Sequence, residues 1–178
     1  MLSVQKGVKQ DSFRQQCFCF GTTEISRQLK AQGRYADYKF IDFDERALDS
    51  ISTYEFALAN CWGKCVLVTS KRLLPLAVFY YQHFWFISTV IEAGRTIDSS
   101  VKWLNHLNGA KGLSSRLSDS PHFSQIEVVI LDGFMAGKST NMIARSLGKH
   151  PKTIYGYRKK IALKMGLKKL ENLFVFNR

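Results

Sequence analysis

Ahead of residue 109 the chain alternates short apolar, β-prone runs with helix-like stretches. Runs at 17–20, 38–43, 65–69 and 84–90 are followed by stretches at 24–31, 54–60, 73–81 and 97–107. Alternation of this kind predicts βαβ units around a mainly parallel sheet with helices on both faces. The unbroken apolar character of Cys65-Val-Leu-Val and Trp85-Phe-Ile suits strands buried on both sides. About four strands are visible, so the sheet is small or trimmed. The segment 109–122, with its Gly, Ser and Asp residues and Pro121, is poor in large apolar groups and reads as a linker. It separates an N-terminal domain over 1–108 from a C-terminal one over 123–178. No internal repeat or low-complexity tract appears.

Beyond the linker the pattern changes, and the final 56 residues break into four helical pieces. The first, over 124–136, carries Ile126, Val129, Ile130 and Phe134 at the spacing of a one-sided core face. Ser139 is placed to cap a second helix, whose Met142, Ile143 and Leu147 should face inward and which Gly148 ends. Pro151 suits the first turn of a third helix over 151–165, which buries Ile154, Ile161 and Met165. A fourth covers 167–176. Two helices joined by Gly148-Lys149-His150 make a helix-turn-helix unit. The fold class predicted is an α/β N-terminal domain with a mainly parallel sheet, followed by an all-α four-helix C-terminal domain.

Charge sharpens this division. The whole chain of 178 residues has a formal net charge of +12, from 26 Lys and Arg against 14 Asp and Glu, which points to a polyanionic partner. Residues 123–178 hold eleven basic and three acidic side chains, a net +8, and the first 122 residues hold fifteen and eleven, a net +4. The excess therefore sits on the helical third. A membrane is the competing anionic surface, and the nineteen uncharged residues 73–91 approach the length of a span. Gln82-His83 falls in the middle of that run and splits it into a helix-like and a β-rich piece, which disfavours a spanning helix and membrane association. The start of the chain lacks a basic region followed by an apolar core and a small-residue cleavage site, so a reducing cytoplasm is expected. Cys17, Cys19, Cys61 and Cys65 lack paired metal spacing and read as buried free thiols.

The exposed side of the third helix is expected to carry Lys152, Tyr155, Gly156, Lys159 and Lys160, flanked by Arg158 and Lys164. Cations there would neutralise phosphates, and a side chain entering the major groove could read base edges, Lys159 suiting guanine O6 and N7. Gly156 in mid-helix costs about 1 kcal/mol relative to Ala, which a close backbone approach to DNA or another helix would explain. By itself this is also what a solvated basic face looks like.

Spaced agreement at many positions adds to this. Phe123-Ser-Gln-Ile-Glu127-Val-Val-Ile-Leu131, Ala136-Gly137-Lys-Ser139-Thr-Asn-Met-Ile143-Ala144-Arg-Ser-Leu147, Thr153-Ile154 and Lys164-Met165-Gly-Leu167 resemble the C-terminal DNA-binding domain of LuxR/GerE/FixJ-type bacterial transcription regulators. The resemblance covers the last third of the chain. It implies double-stranded DNA as partner, with Lys138, Ser139, Asn141, Lys152, Thr153, Tyr155, Gly156, Arg158, Lys159, Lys160 and Lys164 at the DNA face. It also implies dimerisation through Leu170, Leu173 and Phe174, as a homodimer or with a related regulator, and contact with RNA polymerase. Where the family usually has a serine cap before the recognition helix this chain has His150, and it has Tyr155 and Tyr157 where the family commonly has lysine and histidine. The target sequence should differ accordingly.

In this family the N-terminal partner is often a phospho-receiver, and the βα alternation resembles a shortened one. Asp42, or Asp44, sits at the end of a strand where the acceptor would stand, but Gly21-Thr22-Thr23 replaces the metal-binding acids and no lysine follows the last strand. Phosphorylation is therefore not expected, nor is any cofactor. His83, His106, His122 and His150 lack metal spacing, and no nucleophile elbow, phosphate-binding glycine loop or zinc-protease helix appears, so an enzyme is not expected. The reading is a sequence-specific transcription regulator, dimeric on DNA; a weaker likeness is to enterobacterial regulators of surface structures such as capsule and fimbriae. The alternatives are a protein-interaction modulator of a related regulator, with little DNA affinity, and a regulator anchored in a membrane through 73–91.

Overall fold

Three parallel strands, β1 (Tyr38–Phe43), β2 (Lys64–Thr69) and β3 (Ile87–Glu92), form a sheet in the order β1-β2-β3. The structure, a computed structural model, describes residues 3–34, 37–43 and 63–175; the expected helix over 54–60, Cys61 and Asp44 lie outside them. Helices α1 (Ser3–Ala31) and α3 (Ile97–Leu107) cover one face of the sheet, and α2 (Leu74–His83) covers the other.

The two faces are kept in phase by a bulge. Cys65 lies opposite Ile87, but Val66 lies opposite Thr89, so Ser88 is an extra residue in β3. Without it, a one-residue slip would turn Val90 and Ile91 to the wrong faces. With it, Cys65, Leu67, Ile87 and Val90 face α2, while Val66 and Ile91 face α1 and α3. Thr89 then accepts a hydrogen bond at 3.0 Å from Trp103 of α3. The bulge carbonyl, Ser88 O, accepts from Gly112 N–H at 2.9 Å.

The expected first strand, 17–20, does not exist: those residues lie within α1. Four apolar residues in a row are too few to outweigh flanks that favour a helix. Glu24 is bonded by Arg27 and Gln28 at helical spacing, three and four residues on. Phe18, Ile25 and Leu29 turn toward the sheet at helical spacing, while Cys17, Cys19 and Phe20 are exposed. The expectation of buried thiols holds for Cys65 and fails for Cys17 and Cys19.

The run 73–91 divides into α2 and β3, and among the described residues no helix is long and apolar enough to cross a membrane. β3 begins at Ile87, later than expected, because Phe84 still donates its N–H to Tyr80 O and ends α2. Trp85, expected inside a buried strand, is 79% exposed in that turn.

Every residue of α2 from Leu74 to Tyr80 is buried. A helix apolar on all sides needs cover on all sides. One side packs on the sheet, and the apolar cluster it belongs to continues into the C-terminal helices α5 (Gln125–Met135), α6 (Thr140–Ser146) and α7 (Pro151–Lys164). Phe123 donates its N–H to Pro75 O at 3.2 Å. The Tyr80 phenol is pushed up by burial and further by the negative charge of Asp132 on α5. One apolar cluster therefore runs from Phe43 and Leu67 through α2 to Ile154 and Leu173. The segment 109–122 contains a helical turn, α4 (Ser115–Ser118), with Leu117 buried.

Two core assignments in the helical part are corrected. On α5, Val128, Ile130 and Leu131 are buried, while Val129 is 41% exposed. On α6, Ile143 and Ala144 point inward and Met142 is 57% exposed. A β-carbon at Gly133 would lie 3.2 Å from Ile143 Cγ1, so the glycine lets α5 and α6 approach closely with Ile143 between them. The last helix is a 3-10 helix, Leu170–Val175, starting later than expected because Gly166 turns the chain at φ 67°.

Candidate nucleic-acid interface

The three α-helices of the C-terminal part are each started by a local hydrogen bond. At α5 the Glu127 carboxylate accepts from Ser124 N–H at 2.7 Å and from Ser124 Oγ at 3.0 Å. At α6 Ser139 Oγ accepts from Met142 N–H at 3.2 Å. At α7 the cap is His150, whose Nδ1 accepts from Lys152 N–H at 3.2 Å, with Pro151 in the first turn. The histidine thus does what serine does in the resembled family. Between α6 and α7, Gly148 takes φ 58° and Lys149 N–H reaches Ala144 O at 2.9 Å, closing the tight turn of a helix-turn-helix.

This geometry gives α7 two faces. Ile154, Ile161, Ala162 and Met165 are buried, as expected for all but the alanine. Lys152, Thr153, Tyr155, Gly156, Lys159 and Lys160 are exposed together, as are Lys138, Ser139 and Asn141 at the start of α6. Space around Gly156 is open, with no atom within 4 Å of where a β-carbon would stand. A close approach to another helix of this chain is therefore not the reason for this glycine.

Arg158 and Lys164 stand apart from that set. Arg158 donates to Thr140 Oγ1 at 2.7 Å and to Glu171 Oε1 at 2.5 Å, and lies 4.4 Å from the Phe134 ring centroid. It joins α5, α6, α7 and the closing helix through one guanidinium, its side chain only 13% exposed. Lys164 donates to Glu127 Oε2 at 2.7 Å and to His122 O at 2.8 Å. Burial pushes the Glu127 carboxyl up, but the bonds from Lys164 and Ser124 and the lysine charge prevail and hold it below its usual range. Leu170 and Leu173 are 2% and 1% exposed within the chain's own core. Phe174 lies in the closing helix, and its side chain is outside the described set.

The sequence reading passed over Arg145 and Lys149, both exposed on the same unit. Lys149 stands in the turn directly before the recognition helix, and that position was the available signal. It also missed the Glu127–Lys164 pair, since a separation of 37 residues leaves no periodic trace.

On the sheet, Asp42 ends β1 facing α1 and is paired with Arg14 at 3.2 Å. Glu92 ends β3, where a receiver would carry its lysine nearby. Among the described residues no cluster of three or more His, Cys, Asp or Glu could hold a metal ion.

Residues 121–176 match the family of bacterial regulatory proteins, luxR family. The Vi polysaccharide biosynthesis protein TviA of Salmonella typhi is 19% identical over 152 residues, covering 85% of each chain. A structure of two RcsB dimers bound to two parallel DNAs is similar with a TM-score of 0.41 and 18% identity, over 70% of this chain and 64% of that one. The RcsB response regulator of Salmonella typhimurium is similar with a TM-score of 0.31 and 18% identity, over 85% of this chain and 81% of that one.

Proposed function

We propose, on the premise that residues 121–176 are a luxR-type DNA-binding domain, that this protein is a cytoplasmic, sequence-specific transcription regulator, dimeric on DNA and independent of aspartate phosphorylation. The observation that carries the reading is the coincidence of the family match with the exposed cationic stripe of α7 in the most basic third of the chain. Lys159 reads a base, with Thr153, Tyr155 and Gly156 lining the same approach. Lys152, Lys160 and Lys138 hold phosphates, with Ser139 and Asn141 beside them. Arg158 and Lys164 act from behind, fixing the pose of α7. The dimer contact lies on the closing helix, seated from inside by Leu170 and Leu173 and carrying Phe174. Independence from phosphorylation is supported by the ion pair that holds Asp42 to Arg14 of α1 at 3.2 Å. TviA's name places that distant relative in Vi polysaccharide biosynthesis, which supports a bacterial polysaccharide structure as the regulated target.

The test is genome-wide mapping of DNA bound by the full chain, followed by gel shifts on the recovered sites. Lys159→Ala should lose about 1–3 kcal/mol on the specific site and relax preference at one position, whereas Lys160→Ala should weaken all sequences alike and lower the salt slope by about one. Equal losses for Lys159→Ala on specific and random DNA would remove it from the base-reading set. Absence of any enriched site would favour a modulator acting through a partner protein.

A further inference from the structure

Beneath α1 the sheet is not fully covered. In β2, the central strand, Cys65, Val66, Leu67 and Thr69 are buried, yet Val68, on the face shared with α1 and α3, is only partly so. The strands of a parallel sheet are ordinarily covered on both faces. The gap is a cavity of about 270 Å³ at the carboxyl ends of the three strands, between α1, α3 and the turn that joins β3 to α3. Open α/β sheets take ligands at that end. We propose that this cavity binds an uncharged, largely apolar small molecule, about the size of one ring with a short chain.

Three observations set the chemistry of the occupant. The walls still open to a ligand are apolar: Phe18 of α1, Val68 of β2 and Ile97 of α3 all line the cavity and are only partly buried. An apolar ligand would remove that surface from water. The charges of the lining cancel. Among its described residues Arg14 and Arg95 are balanced by Asp42 and Glu92, and Arg14 holds Asp42 at 3.2 Å. A site without net charge gives a charged ligand nothing to offset its lost hydration. The third observation is Gly21, in the interior of the 29-residue helix α1, where glycine weakens a helix relative to alanine. It lines the cavity, and no atom lies within 4 Å of where its β-carbon would stand. Packing within the chain does not require this glycine, and its missing side chain keeps the cavity open. The volume exceeds the roughly 150 Å³ that holds a benzene and lies near the lower end of small-ligand sites, which sets the size of the occupant. Such a molecule would touch α1, α3 and the end of the sheet at once, tying the long helix to the rest of the domain.

Binding is measured on the full chain without DNA, so its outcome is independent of the operator reading. Isothermal titration compares phenylbutanol, phenylbutyrate and phenylbutylamine, one body carrying a neutral, a negative and a positive head. The alcohol should bind saturably below about 1 mM, and each charged analogue at least about threefold more weakly. Gly21→Leu, which fills the cavity with a better helix former, should weaken the alcohol about tenfold or more without lowering Tm. Thr23→Leu adds the same side chain at an exposed position of α1 and should change binding by less than about twofold. Labelling by iodoacetamide, read by peptide mass spectrometry, locates the ligand. Cys17 lines the cavity and Cys19 does not, while both are exposed, so the alcohol should slow labelling of Cys17 alone. No saturable binding of the alcohol at about 1 mM would overturn the proposal. So would equal effects of the two leucine variants, or equal labelling changes at the two thiols, the marks of adsorption on the outside of α1. Tighter binding of either charged analogue than of the alcohol would defeat the assignment of a neutral ligand.

Discussion

Lys164 separates two roles that a basic residue on a recognition helix can have. As a phosphate contact it would face DNA; in the structure it donates to Glu127 at 2.7 Å and to His122 O at 2.8 Å. The Glu127 side chain is 4% exposed and that of Lys164 27%. Removing one partner of a fully buried pair costs about 3–5 kcal/mol. Here the lysine is part-solvated and Glu127 keeps both Ser124 bonds, so Lys164→Met should cost about 2 kcal/mol, near half that range. For a chain of this size that corresponds to about 4–8 °C in Tm, read by differential scanning calorimetry. The pH dependence follows with its sign. A carboxylate held below its ordinary range contributes stability that is present above that range and lost as pH falls through the lowered value. Lys164→Met should therefore shift acid destabilisation to higher pH, and Glu127→Gln should flatten that part of the profile. A double-mutant cycle over the two positions should give a coupling of about 1–3 kcal/mol. On DNA, Lys164→Met should leave the salt slope unchanged wherever the protein is folded. A Tm within about 1 °C of the parent, together with a salt slope lower by about one, would refute the argument and return Lys164 to the phosphate face.

Three further outcomes are expected. His150→Ala should cost about 1 kcal/mol of stability through loss of the α7 cap while His150→Ser retains it, measured by urea unfolding. Leu173→Ala should cost about 2–5 kcal/mol in dilute protein, because the side chain is 1% exposed in the core; a stable monomer that merely fails to dimerise on DNA would instead make it an interface residue. Arg158→Lys should destabilise by about 1–3 kcal/mol, since an ammonium cannot bond Thr140 and Glu171 while lying over Phe134, and comparison with Glu171→Gln tests the ion-pair part.

How much of this was legible depended on how local the determinant was. Helix α3 matches its expected span, Ile97–Leu107, because cap, period and stop all lie within the segment: Thr96 accepts from Ser99 N–H and Asn108 ends the helix at φ 45°. The helix-turn-helix was equally readable, since Ser139, Gly148 and Pro151 state its boundaries. Residues 17–20 misled because a run of four apolar residues carries no period of its own; its fate was decided by the polar flanks and by the face offered to the sheet. Val129 and Met142 misled for another reason. Either of two neighbouring apolar residues can face the core, and the choice is settled across the interface: Gly133 on the facing helix leaves room for Ile143, the neighbour of Met142. The inward use of Arg158 and Lys164 was invisible because their partners lie in other helices, while sequence alone shows only cations on a basic segment.

The apolar cluster shared by Leu76, Phe79, Phe123 and Met165 bears on how two copies would meet a promoter. A reading head on a slack tether can swing to half-sites at various separations, with a cost set by tether length. Here the head is seated on α2 and the connecting segment is itself pinned by Gly112 and Leu117. In the proposed dimer the gap between two heads would then be set by the shape of the paired proteins, as with a caliper locked at one opening. Inserting a few base pairs between half-sites should abolish joint occupancy, because turning one head through the added helical twist means breaking it from its base.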